Sequence, residues 1–127
     1  MKRFLAIFTL CLVSFSQWAL GANSYYGIVT CTTAAVAYHV APLIGYTGIA
    51  CLQVIVTADP ANTGTLYLGM SNAVSSSNYF AALQVNGSFN SGPSGSVPSF
   101  PCQDLWVTGS VNSTLADILI LPGVISQ

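Results

Sequence analysis

Few residues of this chain could do chemistry. His39 is the only imidazole, the thiols are Cys11, Cys31, Cys51 and Cys102, and the carboxylates are Asp59, Asp104 and Asp117. A triad needs a nucleophile, a base beside it and a group that orients the base. His39 with Cys31 or a serine, and one aspartate, would supply those types. The local context is missing, since no GxSxG elbow occurs and no Cys carries a family signature. A lone His after Tyr38 in a strand-like run reads as a structural residue. Three aspartates well apart in sequence make a thin calcium cage, and Asp59 and Asp104 read as turn formers. One His and no CxxC give zinc no ligand set. The expectation is a non-enzyme with no catalytic, metal-binding or cofactor-binding residue.

The thiols suggest a covalent staple instead. Cys11 lies in an N-terminal stretch expected to be removed. Cys31, Cys51 and Cys102 remain, and in an exported chain they suggest one pair and one buried thiol. Cys31 with Cys51 is the first choice, because both lie on candidate strands that could be neighbours. Cys51 with Cys102 is close behind. Three buried thiols are the other alternative, since free Cys behaves as a small hydrophobe.

A chain of 127 residues is long enough for one domain. Only 4% of it is charged while 53% is hydrophobic, and the sole basic residues are Lys2 and Arg3. Phosphate contacts rest on Lys and Arg, so nucleic acid is excluded as a partner. Attraction to an anionic membrane surface fails for the same reason. A surface so poor in charge is weakly protected against association. It is either a neutral coat of Ser, Thr, Asn and Gly, or a surface covered by neighbouring subunits.

Met1 to Ala22 reads as a secretory signal peptide. Lys2-Arg3 is a basic start, Phe4–Phe15 an apolar core too short for a membrane span, and Ala19-Leu20-Gly21 a small-residue cleavage site. An uncleaved anchor is the alternative. The residue before Cys11 is Leu10, where a lipoprotein site needs a small residue. After cleavage the chain has no stable membrane insertion, and its place is secreted, periplasmic or on a virion or cell surface.

The mature domain, 23–127, reads as a succession of short strands. Tyr25–Val40 is one strand, broken in the middle, with a helical turn at Ala34–Ala37 as an alternative. Pro42–Gly48 is a connection with two glycines. Ile49–Asn72 reads as a β-hairpin, with arms Ile49–Thr57 and Thr65–Met70. Its breakers run from Asp59 to Gly64: Asp59 and Asn62 can bond their own backbone, and Gly64 can take positive φ. Tyr79–Val85, Asp104–Gly109 and Asp117–Leu121 are further strands. Asn86–Pro101 is a long Gly/Ser/Pro loop that Phe89 and Phe100 could pin down. Asn86-Gly87-Ser88 and Asn112-Ser113-Thr114 match the short N-glycosylation pattern.

Short strands with regular turn signals argue for an all-β fold, a single small β-sandwich or jelly-roll-like domain. The core candidates are Val54, Val56, Leu66, Leu68, Leu83, Leu105, Val107, Ile118 and Ile120. Tyr25–Val40 and Asp117–Leu121 are the candidate edge strands. Tyr67, Tyr79 and Trp106 could form a binding platform for a sugar, although strand aromatics also serve as core or cross-strand pairs.

Asn62, Gly64, Tyr67 and Gly69, then Asp104, Leu105, Val107 and Gly109, then Ile118 and Leu119 form a pattern. It resembles a small β-sandwich module of tailed-phage and prophage virion proteins. The resemblance spans roughly Ile49 to Leu121. It implies a structural role, as a capsid decoration, head-fibre or tail component, and partners that are copies of itself or a scaffold or capsid protein. The signal peptide and the cysteines depart from that pattern. The leading expectation is a non-enzymatic structural subunit of a virion or extracellular assembly. The alternative is a secreted, carbohydrate-binding module.

Overall fold

A computed structural model of the chain describes residues 24–92 and 99–122. The signal peptide expected at 1–22 lies outside the described residues, as do 93–98 of the long loop. The chain enters β1 (Tyr25–Cys31) and β2 (Tyr38–His39), makes one turn of helix α1 (Val40–Ile44), and continues through β3 (Gln53–Ala58) and β4 (Leu66–Gly69). It then forms β5 (Ala81–Leu83) and β6 (Ser88–Asn90), a 3-10 turn at Cys102–Asp104, β7 (Trp106–Gly109) and β8 (Thr114–Leu121). No helix among the described residues is long and apolar enough to cross a membrane.

The strands follow the period-two alternation of their residues. In β8, Thr114, Ala116, Ile118 and Ile120 are buried, and the residues between them are half-buried. β3 buries Val54, Val56 and Ala58 in the same rhythm. All nine core residues expected from the pattern are buried, Leu83 being the most exposed at 7%.

All the pairings between these strands are antiparallel. One sheet has the order β1-β8-β3-β6 and the other β2-β7-β4-β5. The chain therefore changes sheet at every connection except β4 to β5. Laid flat, it is a long hairpin in which the first strand meets the eighth, the second the seventh, the third the sixth and the fourth the fifth. Rolled up, that is the eight-stranded jelly roll. The all-β sandwich read from the sequence is thus a jelly roll.

The winding corrects several local readings. The arms of the expected central hairpin do not pair with each other, because β3 and β4 lie in opposite sheets. Each arm has one apolar side that must face the core, and it does so whether the two arms share a sheet or lie in facing sheets. The breaker run Asp59–Gly64 is long enough to step across the roughly 10 Å between packed sheets. Within it, Asp59 accepts a bond from the Ala61 amide at 2.7 Å. Asn62 bonds instead to a distant strand, and Gly64 is not among the residues with positive φ. Gly64 is needed for space: a Cβ there would come within 2.5 Å of Ser110 Oγ.

Tyr25–Val40 is likewise split between the sheets, with a turn at Ala35, whose φ is 62°. Asp117–Leu121 is no edge, since β8 runs between β1 and β3. The Pro42–Gly48 connection begins inside α1, where Pro42 is tolerated in the first turn and Gly45 ends the helix at φ 78°. α1 fills one open side of the sandwich. A Cβ on Gly27 of β1 would lie 2.6 Å from Ile44 Cγ2, so glycine permits that approach. The long loop is only partly loop, because β6 pairs with β3, and Phe89 and Phe100 pack against the core.

Candidate functional site

Cys51 and Cys102 form a disulfide with Cα atoms 5.8 Å apart. The favoured pair, Cys31 with Cys51, is overturned. Cys31 stands opposite Thr114 at one end of β8, while the β3 end nearest Cys51 stands opposite Leu121 at the other. Seven residue steps of extended strand separate them, roughly 23 Å. Cys31 is a free thiol facing the core, and burial pushes it up to about 11. That setting suits an inert packing residue, not a nucleophile. His39 donates from Nε2 to the Gln103 carbonyl and stacks on Trp106, with ring centroids 4.4 Å apart and planes within 4°.

The outer face of the β2-β7-β4-β5 sheet gathers the aromatic residues. Tyr67 on β4 projects outward, because its neighbours Leu66 and Leu68 face the core. Tyr79, in the loop before β5, packs on it at 5.1 Å with planes tilted by 43°. Trp106 lies on the same face of β7, opposite Gly69 in register. The structure therefore brings Tyr67 and Tyr79 together but keeps Trp106 apart. Val74 is buried above Gly69, the residue opposite Trp106, where a Cβ would come within 2.5 Å of it.

Val74 belongs to a loop that folds back over the sheet and is stiffened by its own bonds. The Val74 amide donates to the Ser71 carbonyl, Ser75 and Asn78 exchange backbone bonds, and the Asn78 carboxamide donates to the Ala73 carbonyl at 3.0 Å. The Phe80 amide then returns the chain to Leu68. Beside this loop lies a pocket of about 280 Å³ whose lining includes Met70, Ser71, Asn78, Tyr79 and Phe80. Phe80 rests on Phe89 of β6 at 5.1 Å, nearly edge to face. Met70, Phe80 and Asn78 were not singled out by sequence. The adjacent Tyr79-Phe80 pair after the polar run Ser75–Asn78 is the signal that could have found them.

The opposite sheet presents a different outer face. Tyr26 and Ile28 of β1 are 67% and 55% exposed. Tyr26 stands beside Leu119, and Leu119 beside Ile55, in one row across three strands. Asp117 is a charge on this face, flanked by Ile28 and Thr57. Its Oδ1 is buried with no hydrogen-bond partner among the described residues. Burial, and then the nearby Asp59, hold its carboxyl above the ordinary carboxylate value.

Comparison with protein-family models, with curated proteins and with solved structures finds no match to this chain.

Proposed function

We propose that the mature chain is a non-enzymatic structural subunit of a virion or other extracellular assembly, joined to copies of itself through β1. One observation carries this reading: β1 is a long sheet edge whose outer backbone groups are unbonded among the described residues, with α1 packing on it at Gly27 through Ile44. The other edge strands, β2, β5 and β6, have two or three residues each, and shortness is itself a protection. β1 has seven residues, no charge, no proline, and no hydrogen bond on the side away from β8 among the described residues. Such an edge pairs or aggregates.

Asp117 favours edge-to-edge over face-to-face association. Stacking the outer faces would seal its already unpartnered carboxylate oxygen away from water, which is costly. Joining β1 to β1 of a second copy leaves that face in solvent and extends the apolar row Tyr26–Leu119–Ile55 sideways. The jelly roll is also the fold of many viral capsid domains. That is an analogy of fold, which supports the virion reading without carrying it. The Cys51–Cys102 disulfide fits an oxidising compartment outside the cytoplasm.

Sedimentation velocity of the purified, oxidised protein at micromolar concentration tests the proposal. The expected result is a discrete oligomer that becomes monomeric, with unchanged circular dichroism, on Ile28→Lys. A monomer at every salt concentration for the unsubstituted chain would overturn the reading.

A further inference from the structure

We propose that the pocket beside the Met70–Phe80 loop binds a neutral sugar ring. The inference is independent of the assembly reading, because the pocket lies on the β2-β7-β4-β5 sheet and β1 on the other.

The first argument is the preorganised aromatic surface. Tyr79 and Phe80 are 47% and 42% exposed, yet each ring rests against a second ring from another element, Tyr67 and Phe89 respectively. A ring held by a neighbouring ring and still about half exposed loses little freedom when a ligand packs on it. The apolar C–H face of a pyranose suits such a surface, as it pairs an apolar body with polar edges.

The second argument is the polar complement. Asn78 commits its amide nitrogen to Ala73, and its Oδ1 has no protein partner among the described residues. Ser71 Oγ accepts the Ala73 amide and keeps its own proton to donate. The Tyr79 hydroxyl has no partner among the described residues either. An amide oxygen and two hydroxyls around the rings are what a polyhydroxylated ligand can bond. A ligand apolar all round would leave them without partners.

The third argument is charge. Among the described residues no ionisable group other than Tyr79 lines the pocket, and the sequence has no Lys, Arg or Glu beyond Arg3. A phosphate, sulfate or uronate would find no counter-charge here. The pocket at about 280 Å³ is near the lower end of ligand-binding clefts, the size of one or two rings and not of a long chain.

The test is a titration of isotope-labelled protein followed by amide NMR. Cellotetraose, maltotetraose, mannotetraose and chitotetraose are the neutral probes, and tetragalacturonate is the charged control. With at least one neutral probe, shifts confined to 67–71 and 78–80 should saturate at millimolar concentration or below. Tyr79→Ala should weaken that binding about tenfold or more. Tyr79→Phe, which keeps the ring and the loop, should weaken it only a few-fold, and Trp106→Ala should leave it unchanged. Failure of all four neutral probes would overturn the proposal. So would shifts centred on Trp106 and His39, tighter binding of tetragalacturonate, or binding indifferent to Tyr79→Ala.

Discussion

The carboxamide of Asn62 and the peptide of Leu115 exchange a pair of hydrogen bonds. Asn62 Nδ2 donates to the Leu115 carbonyl at 2.8 Å, and the Leu115 amide donates to Asn62 Oδ1 at 2.7 Å. A side chain here acts as one residue of a strand, and it does so from the β3–β4 crossover. Asn62 is 7% exposed, so the pair is shielded from water. It anchors the crossing between the sheets to the start of β8.

Asn62→Ala should therefore cost more than an ordinary turn substitution. It would leave the Leu115 amide unpaired, and its carbonyl would keep only the longer bond from the Asp59 amide at 3.3 Å. The expected loss is about 1–3 kcal/mol, the cost of stranding buried backbone groups. Urea unfolding of the two proteins gives the number. A loss within a few tenths of a kcal/mol would mean that water replaces the clamp.

The disulfide closes a separation of 51 residues. In the chain-entropy account such a closure stabilises by about 4 kcal/mol. The double replacement Cys51→Ala, Cys102→Ala should lower stability by about 2–5 kcal/mol. Native protein should meanwhile resist alkylation at Cys31 near neutral pH, because burial holds that thiol up at about 11. Mass spectrometry after alkylation with and without denaturant reads both the pairing and the protection. Label on Cys51 or Cys102 without a reductant would disprove the pairing.

Leu68 is fully buried on the inner face of β4, between Ala81 and Val107 in the register. Leu68→Ala should cost about 2–5 kcal/mol, the usual range for a large-to-small change in a core. Its neighbour Tyr67, on the outer face, should tolerate truncation far better. Reversal of that order in thermal melts would shift the register of β4 by one residue.

Asp117 gives stability an unusual pH dependence. Its carboxyl is raised from 3.8, first by burial and then by Asp59, so the folded chain holds this proton more tightly than the unfolded one. The contribution is fully present below the unfolded value and is lost as pH rises through the folded one. Asp117→Asn should remove that part of the slope and stabilise the protein at neutral pH. Comparing denaturation midpoints of the two proteins across the acidic range tests this. A variant less stable than its parent at neutral pH would contradict it.

The class of fold and the aliphatic centre of the interior were legible from residue order alone, though Val29, Val40, Tyr46 and Val74 are buried as well and are not among the core candidates. Alternation is a local property, so Val54 and Val56, or Ile118 and Ile120, declare which side of their strand is apolar whatever strand lies beside them. Residue type likewise marked Tyr67 and Tyr79. Partners were not legible. An apolar strand face reaches the core equally well whether the next segment joins its own sheet or the facing one, and only the closing of β1 onto β8 selects between them. That closure sent the two arms of Ile49–Asn72 to opposite sheets and placed β8 in the middle of one. It set Cys31 and Cys51 at opposite ends of a sheet, leaving Cys102 as the partner for Cys51. It also stacked Trp106 on His39 and left it apart from Tyr67 and Tyr79, because contacts between residues distant in sequence follow from the winding of the whole chain and not from local pattern.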